Sequence, residues 1–185
     1  MSIRHTIILL STMFIASGCA SMSKTDCLRA DWTRQGIEDG RKGSSTAILD
    51  RHSKACAKVS VVPNIALYLE GHAQGVRAYC TPDTGLSKGR ANALYQGVCP
   101  ADLEPAFLAS YIDGLEIKLS GLELDAHIAE SRLASLRLQQ SVLGEQVSKK
   151  LLADIRSAER AVRYTSTTQL EIRQRIARLR IRSAS

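Results

Sequence analysis

Leu115-Glu116-Ile117-Lys118-Leu119-Ser120-Gly121-Leu122 opens the stretch that decides the fold. From Leu115 the apolar positions step by 4 and 3 through Leu119, Leu122, Ala126, Ala129, Leu133, Leu136 and Gln140 to Leu143, the spacing of a coiled-coil seam. A second seam follows at Leu151, Ile155, Ala158, Val162, Thr165, Gln169, Ile172, Ile176 and Leu179, out of register with the first. One continuous helix with a stutter satisfies both seams, but it needs a second chain to cover them. A turn near Gly144 and Ser148 also satisfies them, with Gly as a helix stop and Ser as the next cap. Folding beside Gly144 sets Leu115 opposite Ile176, Leu119 opposite Ile172, Leu136 opposite Ile155 and Gln140 opposite Leu151. This antiparallel hairpin is the favoured arrangement, with arms reaching ~55–60 Å at 1.5 Å per residue.

Asp102 is the expected cap of the first arm, and Pro105 is harmless in its first turn. Upstream lie Cys27, Cys56, Cys80 and Cys99. Three helices are expected here: Asp26 to about Arg41, Ala47 to about Lys58 capped by Ser44 or Ser45, and Pro63 to Tyr79. Thr81-Pro82-Asp83-Thr84-Gly85 reads as a loop. If the first two helices pair through the Gly43-Ser44-Ser45 turn, Cys27 and Cys56 are neighbours. Cys80 and Cys99 flank the loop. Of the three connectivities open to four cysteines, Cys27–Cys56 with Cys80–Cys99 is favoured.

Trp32, Gly36, Gly40 and Gly43 fall on one helix face, and Tyr68, Gly71, Gly75 and Tyr79 fall on another. Glycine inside a helix costs about 1 kcal/mol against alanine, so the stripes imply close backbone approach with aromatic rings laid over smooth strips. The shared offset of 35 residues from Gly36 to Gly71 and from Gly40 to Gly75 also raises a repeat solenoid, but two copies fall short of the three or more such a fold needs.

The 185-residue chain has only eight aromatics, so its core is small. The disulfides supply what that core lacks, each contributing roughly 2–4 kcal/mol. Residues 1–18 read as an export signal: Arg4, an apolar run from Ile7 to Ala16, then Ser17-Gly18 before Cys19. Ala16-Ser17-Gly18-Cys19 resembles a lipobox, which implies cleavage before Cys19 and acylation of that residue, palmitate included. Ala20 after it resembles the sorting pattern for the outer membrane. The formal charge of +7, one less without Arg4, suits lipid phosphates or acidic wall polymers rather than nucleic acid. The short link from Ala20 to Asp26 keeps the Cys-rich part near the bilayer, while the hairpin tip can project from it.

Cys27, Asp31-Trp32, Gly36, Asp39-Gly40, Gly43, His52, Cys56, Tyr68, Gly71, Gly75, Tyr79-Cys80, Gly85, Gly89, Tyr95, Gly97 and Cys99-Pro100 together resemble the bacterial family catalogued as domain of unknown function 2799. The resemblance covers about residues 27 to 112. It implies a lipoprotein signal, a Cys/Gly/aromatic domain and a helical extension, and it brings no activity.

His52 and Cys56, four apart on a helix, could share a metal or redox site with His72 or Cys80. Asp31 and Asp39 could be imagined as an acid/base pair, though capping and ion pairing are commoner roles. No Ser/His/Asp, P-loop or HExxH pattern occurs. Arg173, Arg175, Arg178, Arg180 and Arg182 either edge the seam and favour the helix dipole or touch lipid phosphates.

The expectation is therefore an all-α chain: signal 1–18, lipidated Cys19 and linker 19–26, a small disulfide-linked Cys/Gly-rich helical domain 27–112, and a long antiparallel coiled-coil hairpin 113–185. It is expected to be a non-enzymatic envelope lipoprotein facing the periplasm from the outer membrane. It needs no cofactor and takes an envelope protein or peptidoglycan as partner. The alternative is a periplasmic metal- or redox-binding protein.

Overall fold

The computed structural model describes residues 21–184. Among them every regular element is helical: α1 (Lys24–Leu28), α2 (Trp32–Arg41), α3 (Ile48–Cys56), α4 (Ile65–Tyr79), α5 (Pro82–Arg90), α6 (Glu104–Leu143) and α7 (Lys149–Ala184). Short 3-10 turns lie at Ala57–Val59 and Gly144–Gln146. Two compact units form. Among the described residues, one takes 21–30 with Ala47–Pro63, and the other takes Asp31–Thr46 with 64–184.

In the larger unit α6 and α7 form the antiparallel hairpin. Gly144, at φ +53°, stops α6, a backbone that residues with a Cβ rarely adopt. The Ser148 hydroxyl accepts from the Leu151 amide at 3.1 Å and starts α7. Gln169 donates to the Leu122 carbonyl at 3.0 Å, in the register that places Leu119 opposite Ile172. Ion pairs Arg173–Glu123, Arg180–Glu116 and Arg137–Glu159 zip the edges. One heptad forward from Glu116 to Glu123 is matched by one heptad back from Arg180 to Arg173. Leu115, Leu122, Ala126 and Ala129 are buried on α6, and Leu151, Ile155, Ala158, Thr165, Ile172 and Ile176 on α7. The single continuous helix is not formed.

Helix α2 packs on α4, and α5 packs on α6. Both contacts run backbone to backbone through glycine. A Cβ on Gly40 would sit 2.5 Å from the His72 carbonyl oxygen, and one on Gly75 would sit 2.3 Å from that of Ile37. The Tyr79 ring covers Gly43, whose φ of +73° closes the α2 cap. The offset from Gly36 to Gly71 and from Gly40 to Gly75 therefore reflects two faces of one contact, not successive repeats.

A repetition does exist, between the two helix pairs. By one constant shift along the sequence, Gly36 maps onto Gly85, Gly40 onto Gly89, Arg41 onto Arg90 and the positive-φ Gly43 onto Asn92. The capping bond from the Ser44 amide to the Asp39 carbonyl recurs as Ala93 to Lys88. A second constant shift carries Tyr68, His72 and Gly75 of α4 onto Phe107, Tyr111 and Gly114 of α6. In both pairs the ring at the middle position donates to the carbonyl just past the cap: His72 Nε2 to Ser44 at 2.7 Å, and Tyr111 hydroxyl to Ala93 at 2.6 Å.

Several local expectations are corrected. The helix expected from Asp26 to Arg41 is two helices. Ser23 caps α1 in a reciprocal box with Asp26, while Asp31 accepts from the Arg34 amide and opens α2. Neither Ser44 nor Ser45 caps α3, whose N-cap position is Ala47 and makes no side-chain capping bond; the Ser45 amide instead bonds Gln96. Asn64 caps α4, leaving Pro63 just outside it. The expected loop at Thr81–Gly85 is the first turn of α5, capped by Thr81 with Pro82 at its start. Leu103, not Asp102, precedes α6, and Asp102 pairs with Arg77 at 2.9 Å.

In the smaller unit α1 packs on α3. The disulfide Cys27–Cys56 joins them, with Cα atoms 5.3 Å apart. Cys80–Cys99, at 5.6 Å, sits in the apolar cluster of the larger unit with Tyr79, Phe107 and Tyr111. These are the two favoured pairings. The reason given for the first needs correcting, since the partner that α3 meets is the separate helix α1 and α2 is spent on α4.

Candidate functional site

Cys19, the expected lipidation site, lies outside the described residues, as does the signal segment. Cys27, Cys56, Cys80 and Cys99 are all in disulfides, so in this state none offers a thiolate to a metal ion. Among the described residues no group of three His, Cys, Asp or Glu side chains is placed to hold a metal ion. His52 is buried, with Nδ1 3.0 Å from the Ser21 hydroxyl.

Asp31 is the α2 cap. Asp39 is 2% exposed and is held inside the α2–α4 contact, accepting from the Tyr68 hydroxyl at 3.1 Å and from Gln35 Nε2 at 3.2 Å. Burial raises the Tyr68 phenol well above its ordinary range, and the Asp39 charge and hydrogen bond add to that. The two aspartates thus hold structure, each in its own hydrogen-bond set.

The raised phenol has a testable consequence. Tyr68 ionises readily in the unfolded chain but not in the folded one, so its stabilising effect is complete below pH 10 and is lost as pH rises beyond that. Stability should fall by about 1.4 kcal/mol per pH unit from this group alone. Tyr68→Phe should flatten that part of the alkaline profile in urea titrations. At neutral pH it should cost about 1–3 kcal/mol, because buried Asp39 loses a donor.

Of the terminal arginines, Arg173, Arg180 and Arg182 pair with Glu123, Glu116 and Glu104. Arg175 donates to the Asn92 side chain at 2.9 Å and to the Tyr111 hydroxyl at 3.3 Å. These four fasten α7 to the larger unit. Tyr95 adds to the same network, donating to Glu104 at 2.8 Å.

The internal repetition exposes a site that residue-by-residue reading missed. In the α5–α6 pair, Leu108, Ile112 and Leu115 share one apolar cluster with Ile172 and Ile176 of α7, and Arg175 reaches the Tyr111 hydroxyl. The matching positions of α4 are Leu69, Ala73 and Val76 beside His72. They line an open cleft of about 410 Å³ completed by Ser45, Thr46 and residues 96–98. Leu69 is 43% exposed there. The His72 nitrogen Nε2 carries the proton it gives to Ser44, so the ring is fixed beneath the cleft. Such a surface, apolar along α4 and edged by Ser45 and Thr46, can hold apolar side chains. The sequence signal was the recurring Gly-Arg: Asp39-Gly40-Arg41 and Lys88-Gly89-Arg90.

A mostly helical, glycine-packed domain with two disulfides and a hairpin extension defines the class. Residues 31–116 match the family described as protein of unknown function (DUF2799), and that segment is a DUF2799 domain. Its limits enclose every position of the repetition, from Gly36 to Gly114, while α6 itself runs on to Leu143. No curated protein and no solved structure matches the chain.

Proposed function

We propose that this chain is a non-enzymatic, lipid-anchored protein of the cell envelope that binds an envelope protein or peptidoglycan. The observation that carries the binding role is the open α4 cleft, whose repeat counterpart is filled by a helix of the chain itself. The two disulfides support an oxidising compartment, and the segment ending at Cys19 supports the acyl anchor at the outer membrane.

Two measurements test this. Radiolabelled palmitate should enter the wild-type chain and fail to enter Cys19→Ser, which should leave the outer-membrane fraction. A photo-crosslinking residue replacing exposed Ala73 in the cleft, or Glu145 at the hairpin tip, should trap one discrete envelope protein or muropeptide. Cytoplasmic chain without acyl label would overturn the address. Absence of any adduct from either position would overturn the binding role.

A further inference from the structure

Helix α6 is apolar on two opposite faces, and α7 covers one of them. On the other, Ile117, Gly121, Leu124, Ile128, Ser131, Ser135, Leu138 and Val142 again step by 4 and 3, and all eight are exposed. Leu124 is 62% exposed, Ile128 57%, Leu138 67% and Val142 78%. A Cβ on Gly121 would meet nothing within 4 Å. Closer to the start of α6 the same face is covered, because Gly114 lies against Leu86 and Arg90 at the end of α5. The bare stripe therefore runs from the end of α5 to the hairpin turn.

We propose that this stripe is the interface of a homodimer in which two copies of α6 pair antiparallel about a twofold axis between Ala129 and Glu130. Heptad spacing fits a helix as partner. The particular order of large and small residues fits this helix. Antiparallel pairing sets Ile117 against Val142, Gly121 against Leu138, Leu124 against Ser135 and Ile128 against Ser131. In three of the four distinct layers a large side chain meets a small one, so the layers interdigitate at even depth. A parallel pair would instead stack Leu124, Ile128 and Leu138 on their own copies and leave gaps at Gly121, Ser131 and Ser135.

The flanking charges agree. Beside the antiparallel seam, Asp125 of one copy faces Arg132 of the other, twice by symmetry. Lys118 faces Gln139, His127 faces Ala134, and Ser120 faces Ser141. No like charges meet, as an isologous contact requires. Length agrees as well: an antiparallel partner covers the stripe from Ile117 to Val142 end to end, about 38 Å at 1.5 Å per residue. Two hairpins joined this way set four helices in a row, with α7 of each copy outermost and the two copies of α6 paired between them.

Sedimentation of the full chain should show a two-chain species at micromolar concentration. Leu124→Glu combined with Ile128→Glu should weaken association about 100-fold or more, because it places charges in the seam. Those side chains are exposed in the single chain, so its helix content and melting should persist at concentrations where wild type is also monomeric. Orientation is read by mixing Ile117→Cys and Val142→Cys chains under mild oxidation, which should link 117 to 142 in preference to either position with itself. A chain monomeric at tens of micromolar, a dimer indifferent to the double substitution, or 117-to-117 linkage would overturn the proposal.

Discussion

Gly40→Ala is expected to destabilise the larger unit by about 3 kcal/mol or more, the upper end of what overpacking costs. The added Cβ would stand 2.5 Å from the His72 carbonyl oxygen and 2.7 Å from the Val76 nitrogen. Both are backbone atoms of α4, so no rotamer change relieves the clash and the helices must separate. Separation then weakens the opposite side of the same contact, where a Cβ built on Gly75 would stand 3.0 Å from the Gly40 Cα. It also loosens the Tyr68–Asp39 bond beneath. For a unit of this size the midpoint of thermal unfolding should fall by roughly 10 °C. Gly89→Ala should behave alike, since its Cβ would lie 2.2 Å from the Tyr111 carbonyl oxygen. Gly121→Ala is the internal control, read at concentrations where the chain is monomeric: with open space around it in the single chain, it should raise helix stability by roughly 0.5–1 kcal/mol. Calorimetry on the three variants decides the matter. Equal effects at positions 40 and 121 would mean that the glycine stripes are not contacts.

That contrast also shows what could be read from the sequence. Helical stripes of glycine announce close approach because their propensity cost demands a compensating contact, and the seams on either side of Gly144 favour a hairpin because a turn there lets one chain cover both seams. Capping was less legible. Asp26, Ser44, Ser45 and Asp102 are all competent caps, and each was outcompeted by a neighbour or a tertiary bond: Ser23 caps α1, Ser45 bonds Gln96, and Asp102 pairs with Arg77. Thr81-Pro82-Asp83-Thr84-Gly85 has the composition of a turn, yet the same residues make a capped helix start once Gly85 and Gly89 have α6 to pack on. The cleft over His72 was invisible because it is defined by comparison. Only when α7 is seen seated on the second helix pair does the bare counterpart on the first stand out.

Cys27→Ser with Cys56→Ser is expected to unfold the smaller unit while leaving the larger one intact. Among its described residues the smaller unit has little apolar interior: Met22, Cys27, Leu49 and Cys56 are buried, with His52 beside them. The two fully enclosed sulfurs are themselves much of that core, with Cys56 Sγ 3.9 Å from the Met22 sulfur. The bond closes 29 residues of sequence. In the chain-entropy picture a loop of that size contributes about 3–4 kcal/mol, comparable to all that so small a core can supply. Removing it should abolish amide-exchange protection in α1 and α3, while α4, α6 and the hairpin keep theirs. Cys80–Cys99 should differ in kind. It lies among Tyr79, Phe107, Leu108 and Tyr111, so Cys80→Ala with Cys99→Ala should lower the larger unit's stability by about 2–4 kcal/mol without removing protection in the native state. Hydrogen exchange followed by mass spectrometry resolves the two outcomes peptide by peptide. Protection persisting in Ile48–Cys56 of the first variant would show that packing, and not the covalent bond, holds that unit together.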